Sequence, residues 1–261
     1  MSGSYSHASE PFVRQAESLR LEAVTVCIGF DDMLDVTLAM NHPHLDTMIV
    51  VTSHEDRRTQ AVAQKHGAIC VLTDLHRKNG RAFNKGAAIN AGLGHFQWHG
   101  WRLHLDADIA LPDNFRRLLF NHTPLDPDCL YGADRVDIIG RQGVANLRAA
   151  SLALPQHMHG SGLSPVHGGA VYAARPSSSG ARFVDVLHGY CPIGFFQLWH
   201  AKAHKAYPYS LGTAAHDDVL FAAQWPEANR RLLPTAFVYH LCATPPYYGE
   251  NWDGIRRQPR L

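Results

Sequence analysis

The order of apolar runs between residues 24 and 112 constrains the fold more than any other feature of this sequence. Short runs rich in β-branched residues alternate there with stretches that carry apolar side chains at helical spacing, a pattern typical of a parallel sheet covered by helices. We predict strands over 23–30, 47–53, 68–72 and 101–112, and helices over 31–41, 55–66 and 81–96. The first half of the chain is therefore predicted to be a Rossmann-like α/β unit.

After residue 128 the order of elements changes. We predict a strand over 129–139, a helical or irregular insertion over 141–160, strands over 167–175 and 235–242, a helix or strand over 194–204 and a helix over 216–225. The second half is thus expected to contain a mixed sheet. We predict a disordered terminus over 1–20 and a single domain over 21–261, whose two halves are 24–127 and 128–261.

The composition narrows the class of partner. Lys and Arg number 24 against 23 Asp and Glu, so no strong positive field is available to hold a nucleic acid. No run of about 18 apolar residues occurs, so no transmembrane segment is expected. The five cysteines are widely spaced and form no CxxC pair, which indicates reduced thiols and a cytoplasmic protein, one that can also act peripherally at the inner face of a membrane.

The strongest functional signal is the sequence Asp106-Ala107-Asp108, which follows an apolar strand. Ligands of open α/β sheets collect beyond the carboxyl ends of the strands. Two carboxylates one residue apart at that edge can bind one hard cation that also holds a diphosphate. A solvated turn after a strand is the alternative interpretation of these two acids.

A second segment, about twenty residues upstream, favours the cation site. Phe83-Asn84-Lys85 opens a small-residue helix, and Leu105-Asp106-Ala107-Asp108-Ile109-Ala110-Leu111-Pro112 follows it. In this order the two motifs resemble the GT-A glycosyltransferases, in particular family 2 and the β-1,4-galactosyltransferase-like group. The resemblance covers about residues 24–255. It implies the α/β fold of nucleotide-diphospho-sugar transferases, which has a Rossmann-like, mainly parallel sheet with a mixed C-terminal half.

The resemblance also implies that the half at 24–127 binds the donor nucleotide and that the half at 128–261 binds the acceptor and the sugar. Phe83 would contact the uracil, although ordinary helix packing explains a phenylalanine there as well. Lys85 would contact a phosphate or the ribose, and because it replaces the usual Arg it keeps the charge but loses bidentate pairing. The other residues that the resemblance assigns to the nucleotide pocket are Gly29, Phe30, Thr52, Asp106 and Ala107. Thr52 stands where many relatives use an Asp to bind the base, which weakens the prediction of uridine selectivity.

Catalytic and metal-binding roles follow from the same resemblance. Asp218 would be the general base and Asp217 its partner at the sugar; a carboxylate that stabilises a helix N-terminus is the alternative. Asp108 would ligate the metal, Asp106 would lie at the metal or the ribose, and His240 would complete the metal site unless it is a core residue. The remaining assignments concern the sugar and acceptor pocket: Gly168, Gly169 and Trp252.

These residues together predict a metal-dependent inverting glycosyltransferase. It would use Mn²⁺ or Mg²⁺ to transfer a sugar from a UDP-sugar to a hydroxyl of a carbohydrate or glycolipid acceptor, and the sequence leaves the oligomeric state open. Two alternatives remain. A nucleotidyltransferase acting on sugar phosphates would use a similar sheet, but the acidic GFDDMLD segment replaces the Gly-rich basic loop expected there. A non-catalytic carbohydrate-binding protein could keep the same fold.

Overall fold

The computed structural model describes residues 20–80, 83–121, 125–150, 166–167, 170–171, 183–185, 189–209, 214–242, 253–257 and 259–261. Gly168, Gly169 and Trp252 lie outside these ranges, as do residues 1–19 and 151–165, so the predictions made for them stay predictions. Arg20, the last residue of the terminus predicted to be disordered, forms an ion pair with Asp46 at 2.7 Å.

The strands are β1 (Leu21–Val26), β2 (Thr47–Thr52), β3 (Ile69–Leu72), β4 (Trp101–Leu105), β5 (Ile109–Ala110), β6 (Leu130–Ile139), β7 (Val166–His167), β8 (Ala170–Val171), β9 (Phe183–Asp185), β10 (Gly189–Cys191), β11 (Phe196–His200) and β12 (Arg230–Cys242). The α-helices are α1 (Asp31–Asn41), α2 (Arg57–Lys65), α3 (Lys85–Leu93), α4 (Phe115–Asn121), α5 (Gly140–Ala150) and α6 (Asp217–Ala222). None of the described helices is both long and apolar enough to cross a bilayer.

Eight strands form one sheet in the order β3-β2-β1-β4-β11-β6-β12-β5. The first four are parallel, whereas β11 runs antiparallel to both β4 and β6, and β5 runs antiparallel to β12. The Rossmann-like, mainly parallel sheet with a mixed second half is therefore confirmed. Since β6 is antiparallel to β11, it runs in the same direction as β4, and the carboxyl ends of both strands lie at the same edge of the sheet.

Successive side chains of β1 and β2 point to opposite faces of the sheet, and apolar side chains on both faces explain why both are covered. Leu21 and Ala23 of β1 contribute to one buried cluster with residues of α1, while Val24 and Val26 contribute to another with residues of α3. Helix α3 can approach closely because it is built from small residues. A Cβ at Gly92 would come within 2.5 Å of the Val24 side chain. The period of two in these strands thus builds one core on each face of the sheet.

The main correction concerns the segment predicted as one strand over 101–112. Strand β4 ends at Leu105, the chain turns at residues 106–108, and β5 then pairs with β12 at the opposite edge of the sheet. Asp106 and Asp108 consequently lie in a turn between two distant strands. The first strand is also shorter than predicted, since Gly29 has a φ of 75° and the chain turns there. The last strand begins at Arg230 rather than 235.

Candidate active site

The turn at residues 106–108 is fixed by main-chain hydrogen bonds to three parts of the molecule. The N–H of Asp106 donates to the carbonyl of Phe195 at 3.3 Å, and the carbonyl of Asp108 accepts from the N–H of Leu241 at 2.8 Å. The carbonyl of Ala107 accepts from the Thr37 hydroxyl at 2.8 Å. Because these bonds hold the backbone, both carboxylates are held in place at the carboxyl end of β4.

The carboxylate of Asp106 forms an ion pair with Lys85, the first residue of α3. Asn84 caps this helix by accepting a hydrogen bond from the Ala87 N–H at 3.1 Å, so the position of Lys85 is defined by the helix start. Burial opposes the charge on Lys85, but Asp106 outweighs it and raises the pKa of the ammonium. Lys85 therefore places a fixed positive charge beside the two acids.

Asp108 lies beside His240, as the sequence predicts for a metal site. The His240 Nε2 is 3.5 Å from Asp108 Oδ2, and its Nδ1 is 2.9 Å from Asp137 Oδ1. Burial raises the pKa of Asp108, but the nearby His240 and Lys85 together outweigh this effect and lower it, so the carboxyl is ionised. An ionised Asp137 can accept a hydrogen bond but cannot donate one, so the Nδ1 of His240 carries the proton between them. The other ring nitrogen, Nε2, then faces Asp108.

The residues around Asp108 fit a divalent cation. Its Oδ1 atom is buried and has no hydrogen-bond partner among the residues that the structure describes. Carboxylate oxygen and imidazole nitrogen suit Mn²⁺, and a carboxylate that orients the metal-binding His is common around such ions. In the described ranges no group of three His, Cys, Asp or Glu side chains is arranged to hold a metal. The Asp106 carboxylate is paired with Lys85, and its role at the metal or the ribose stays a prediction. Substrate phosphates and water would supply the remaining ligands.

Asp217 and Asp218 begin α6 but have different environments. Asp217 is 2% exposed, and its Oδ2 accepts a hydrogen bond from the Gly86 N–H at 2.9 Å, at the start of α3. Asp218 accepts from the N–H of Gly194 at 2.7 Å and from its own helix at Val219. Burial raises the pKa of Asp218, which suits a general base. The structure thus links Asp217 to α3, whereas Asp218 keeps a partly exposed carboxylate.

A buried hydrogen-bond chain beneath Asp218 was not foreseen from the sequence. The Tyr207 hydroxyl donates to Gln197 Oε1, and His104 Nδ1 lies 3.1 Å from the same hydroxyl. Gln197 Nε2 donates to the Asp218 carbonyl at 3.0 Å and to the Pro192 carbonyl at 2.6 Å. Since the single hydroxyl proton goes to Gln197, His104 must donate from Nδ1. The only available signal was the presence of polar residues inside the apolar segments WRLHL and FFQLWH.

The segment 253–257 covers residues that the sequence assigns to the nucleotide pocket. Arg256 binds both carboxylate oxygens of Asp32 and donates to the Gly29 carbonyl at 2.9 Å. Its guanidinium carbon also lies 4.9 Å from the centre of the Phe30 ring. Gly29 and Phe30 therefore lie beneath an arginine that the sequence analysis did not include.

The remaining predicted nucleotide residues lie around this segment. Gly254 packs so closely on Phe83 that a Cβ there would come within 2.6 Å of the ring. Thr52, at the end of β2, is 1% exposed, and its hydroxyl has no hydrogen-bond partner in the described part of the chain. The structure therefore gathers Gly29, Phe30 and Phe83 under one segment and leaves the Thr52 side chain buried.

Comparison with known proteins gives matches to solved structures only, since no protein-family model and no curated protein matches the chain. One match is glucosyl-3-phosphoglycerate synthase from Mycobacterium tuberculosis in complex with phosphoglyceric acid, at 14% identity over 92% of this chain and 78% of that chain, with a TM-score of 0.49. The same enzyme with Mn²⁺, UDP-glucose and phosphoglyceric acid matches at 14% identity over 90% and 76%, with a TM-score of 0.45. Mannosyl-3-phosphoglycerate synthase from Rubrobacter xylanophilus matches at 23% identity over 50% and 46%, with a TM-score of 0.37. These proteins are glycosyltransferases, the class that the sequence resemblance indicates; the galactosyltransferase-like grouping stays a prediction.

Proposed function

We propose that this chain is a metal-dependent inverting glycosyltransferase that moves a sugar from a UDP-sugar to an acceptor hydroxyl. One observation supports it above the others: in the part of the chain that the structure describes, the buried Oδ1 of the ionised Asp108 has no hydrogen-bond partner, while its Oδ2 lies 3.5 Å from His240 at the carboxyl end of β4. A solvated turn would expose such an oxygen to water. A buried carboxylate oxygen without a partner carries a desolvation cost that a bound cation would offset.

In this proposal Lys85 and the pair of Asp108 and His240 bind the donor diphosphate from two sides. Lys85 contributes its positive charge directly to a phosphate, while Asp108 and His240 hold a divalent cation. The chemistry that such a cation supplies is neutralisation of the charge on the leaving diphosphate. The two alternative functions would use these residues differently. A nucleotidyltransferase would form the diphosphate of a nucleotide-sugar, and a non-catalytic carbohydrate-binding protein would leave it intact, whereas a glycosyltransferase releases it from the sugar.

Asp218 acts as the general base. Its carboxylate accepts the proton of the acceptor hydroxyl while the hydroxyl oxygen attacks the anomeric carbon from the side opposite the diphosphate. The bond between that carbon and the diphosphate oxygen breaks as the new one forms, so the configuration inverts. The hydrogen bond from Gly194 fixes Oδ2 of Asp218 for this step, and such a base contributes about 10²- to 10⁴-fold to the rate.

The experiment is a measurement of UDP release from a panel of UDP-sugars with and without Mn²⁺. We expect Mn²⁺-dependent release by the wild-type protein and a loss of about 100-fold or more in Asp218→Asn, with unchanged affinity for UDP. Asp128→Asn is the matched control, since Asp128 is 69% exposed and pairs with Lys202 at the surface. Formation of UTP and a sugar 1-phosphate, in place of UDP, when pyrophosphate is added would indicate a nucleotidyltransferase, and no release of UDP from any UDP-sugar would contradict the proposal.

A further inference from the structure

Arg135 lies on β6, in the half of the sheet beyond β4, whereas the parallel strands β1 to β3 lie on the other side of β4. The order of the sheet puts β11 and then β6 beyond β4. The guanidinium carbon of Arg135 lies 5.0 Å from the centre of the Phe195 ring. Phe195 bonds the main chain of Asp106, and Gly194 just before it bonds the carboxylate of Asp218. Arg135 thus borders both the turn that carries Asp108 and the loop that holds the proposed base.

The hydrogen-bonding capacity of this guanidinium is largely unused. Its Nε lies 3.4 Å from Asp137 Oδ1 but makes no hydrogen bond of good geometry within the described ranges. Asp137 Oδ1 already accepts from His240 Nδ1 at 2.9 Å, so it is shared between His240 and Arg135. The side chain of Arg135 is 21% exposed, so part of it remains accessible where it lies beside Phe195. A half-buried guanidinium in this state is unusual, because buried donors are normally paired.

We propose that Arg135 binds an anionic group, a carboxylate or a phosphate, on the acceptor substrate. This inference rests on the proposed function, and it narrows the acceptor to a hydroxyl compound that carries a negative charge. A planar guanidinium presents parallel N–H donors that match the two oxygens of such a group. Stacking on Phe195 holds the plane of the guanidinium in one orientation before the ligand binds. A neutral sugar would offer only separate hydroxyl oxygens, which do not match the two parallel N–H donors of the guanidinium.

Three small probes that differ in charge test this inference: glycerol 3-phosphate, glycerate and glycerol. Each is titrated by calorimetry into the protein loaded with UDP and Mn²⁺. We expect the wild-type protein to bind at least one anionic probe about tenfold or more tighter than glycerol. Which of the two anions binds tighter identifies the acceptor group as a phosphate or a carboxylate. Arg135→Gln should lose the preference, and Arg135→Lys should retain part of it because it keeps the charge but not the fork.

The control is Arg231→Gln, which removes a surface arginine that pairs with Asp126 at 3.5 Å. This variant should keep the wild-type preference for the anion. The affinity for UDP should be the same in Arg135→Gln and wild type, which excludes a general loss of structure. A wild-type protein that fails to bind UDP refutes the proposed function, whereas one that binds UDP and treats the three probes alike refutes only the role of Arg135. Retention of the preference in Arg135→Gln would refute that role as well.

Discussion

Replacing Tyr207 by Phe should reduce turnover without removing donor binding. The Tyr207 ring stacks on Phe221 with centroids 3.9 Å apart, and Phe keeps that contact. The hydroxyl alone is lost, and with it the partner of Gln197 Oε1 and of His104 Nδ1. Gln197 holds the main chain of Asp218, so its reorientation displaces the proposed base.

The magnitude follows from the two buried groups left unpartnered. Each costs about 1–3 kcal/mol, so we expect the free energy of unfolding to fall by about 2–4 kcal/mol after partial relaxation. A small displacement of a catalytic group lowers kcat by about 10- to 100-fold. The measurements are urea unfolding, kcat for UDP release and the Kd for UDP, which should stay within about twofold of the wild-type value because UDP does not contact Tyr207 in this account.

Tyr131→Phe is the control for the loss of a buried tyrosine hydroxyl. The Tyr131 hydroxyl accepts a hydrogen bond from the N–H of Asp126 at 2.7 Å, and Asp126 lies in a half-exposed loop before β6. The control should lose about 1 kcal/mol of stability and no turnover. If Tyr207→Phe is destabilised as expected but keeps the wild-type kcat, the chain from Tyr207 to Asp218 has no role in positioning the base, and the reasoning is refuted.

Three further predictions concern neighbouring parts of the site. Burial raises the pKa of Asp218, and only the ionised carboxylate can act as the base, so kcat should fall as the pH drops below a pKa higher than that of an ordinary Asp. The same fall in the residual kcat of Asp218→Asn would contradict the assignment. Gly254→Ala should weaken the packing on Phe83, since φ is 72° and the new Cβ would lie 2.6 Å from the ring; we expect a Tm several degrees lower, and an unchanged Tm would show that residues 253–257 do not pack as described. Asp137→Asn should weaken Mn²⁺ binding about 10- to 100-fold, because it alters the group that orients His240, and equal affinity by calorimetry would remove Asp137 from the site.

The parts of the fold that sequence could predict are those fixed by local pattern. The helix over Asp31–Asn41 matches its predicted bounds, strands β1 to β3 follow from runs that contain β-branched residues, and β4 follows from the apolar run at Trp101–Leu105. The split between β4 and β5 could not be predicted. Strand β5 has only two residues, and it exists because it pairs with Tyr239 and His240, which lie about 130 positions later. Local periodicity contains no information about such a partner.

The same limit applies to the candidate site. Motif order predicts roles for Asp108, His240 and Asp218: Asp108 follows β4, Asp218 lies in the first turn of α6 and His240 lies within β12. It did not identify Asp137 or Arg256, whose contacts join residues 103 and more positions apart. These side chains become relevant only once the fold places β6 beside β12 and Arg256 against Gly29 and Asp32, which follow β1. Sequence could therefore name the residues that a motif marks, but not those that orient or cover them.

The central claim is that Asp108 helps to hold a cation that in turn holds the diphosphate. Calorimetric titration of UDP into the wild-type protein and Asp108→Ala, each with and without Mn²⁺, tests it most directly, with Asp128→Ala as the surface control. The account predicts that Mn²⁺ tightens UDP binding in the wild-type protein and in the control but not in Asp108→Ala. An equal gain from Mn²⁺ in Asp108→Ala would contradict it.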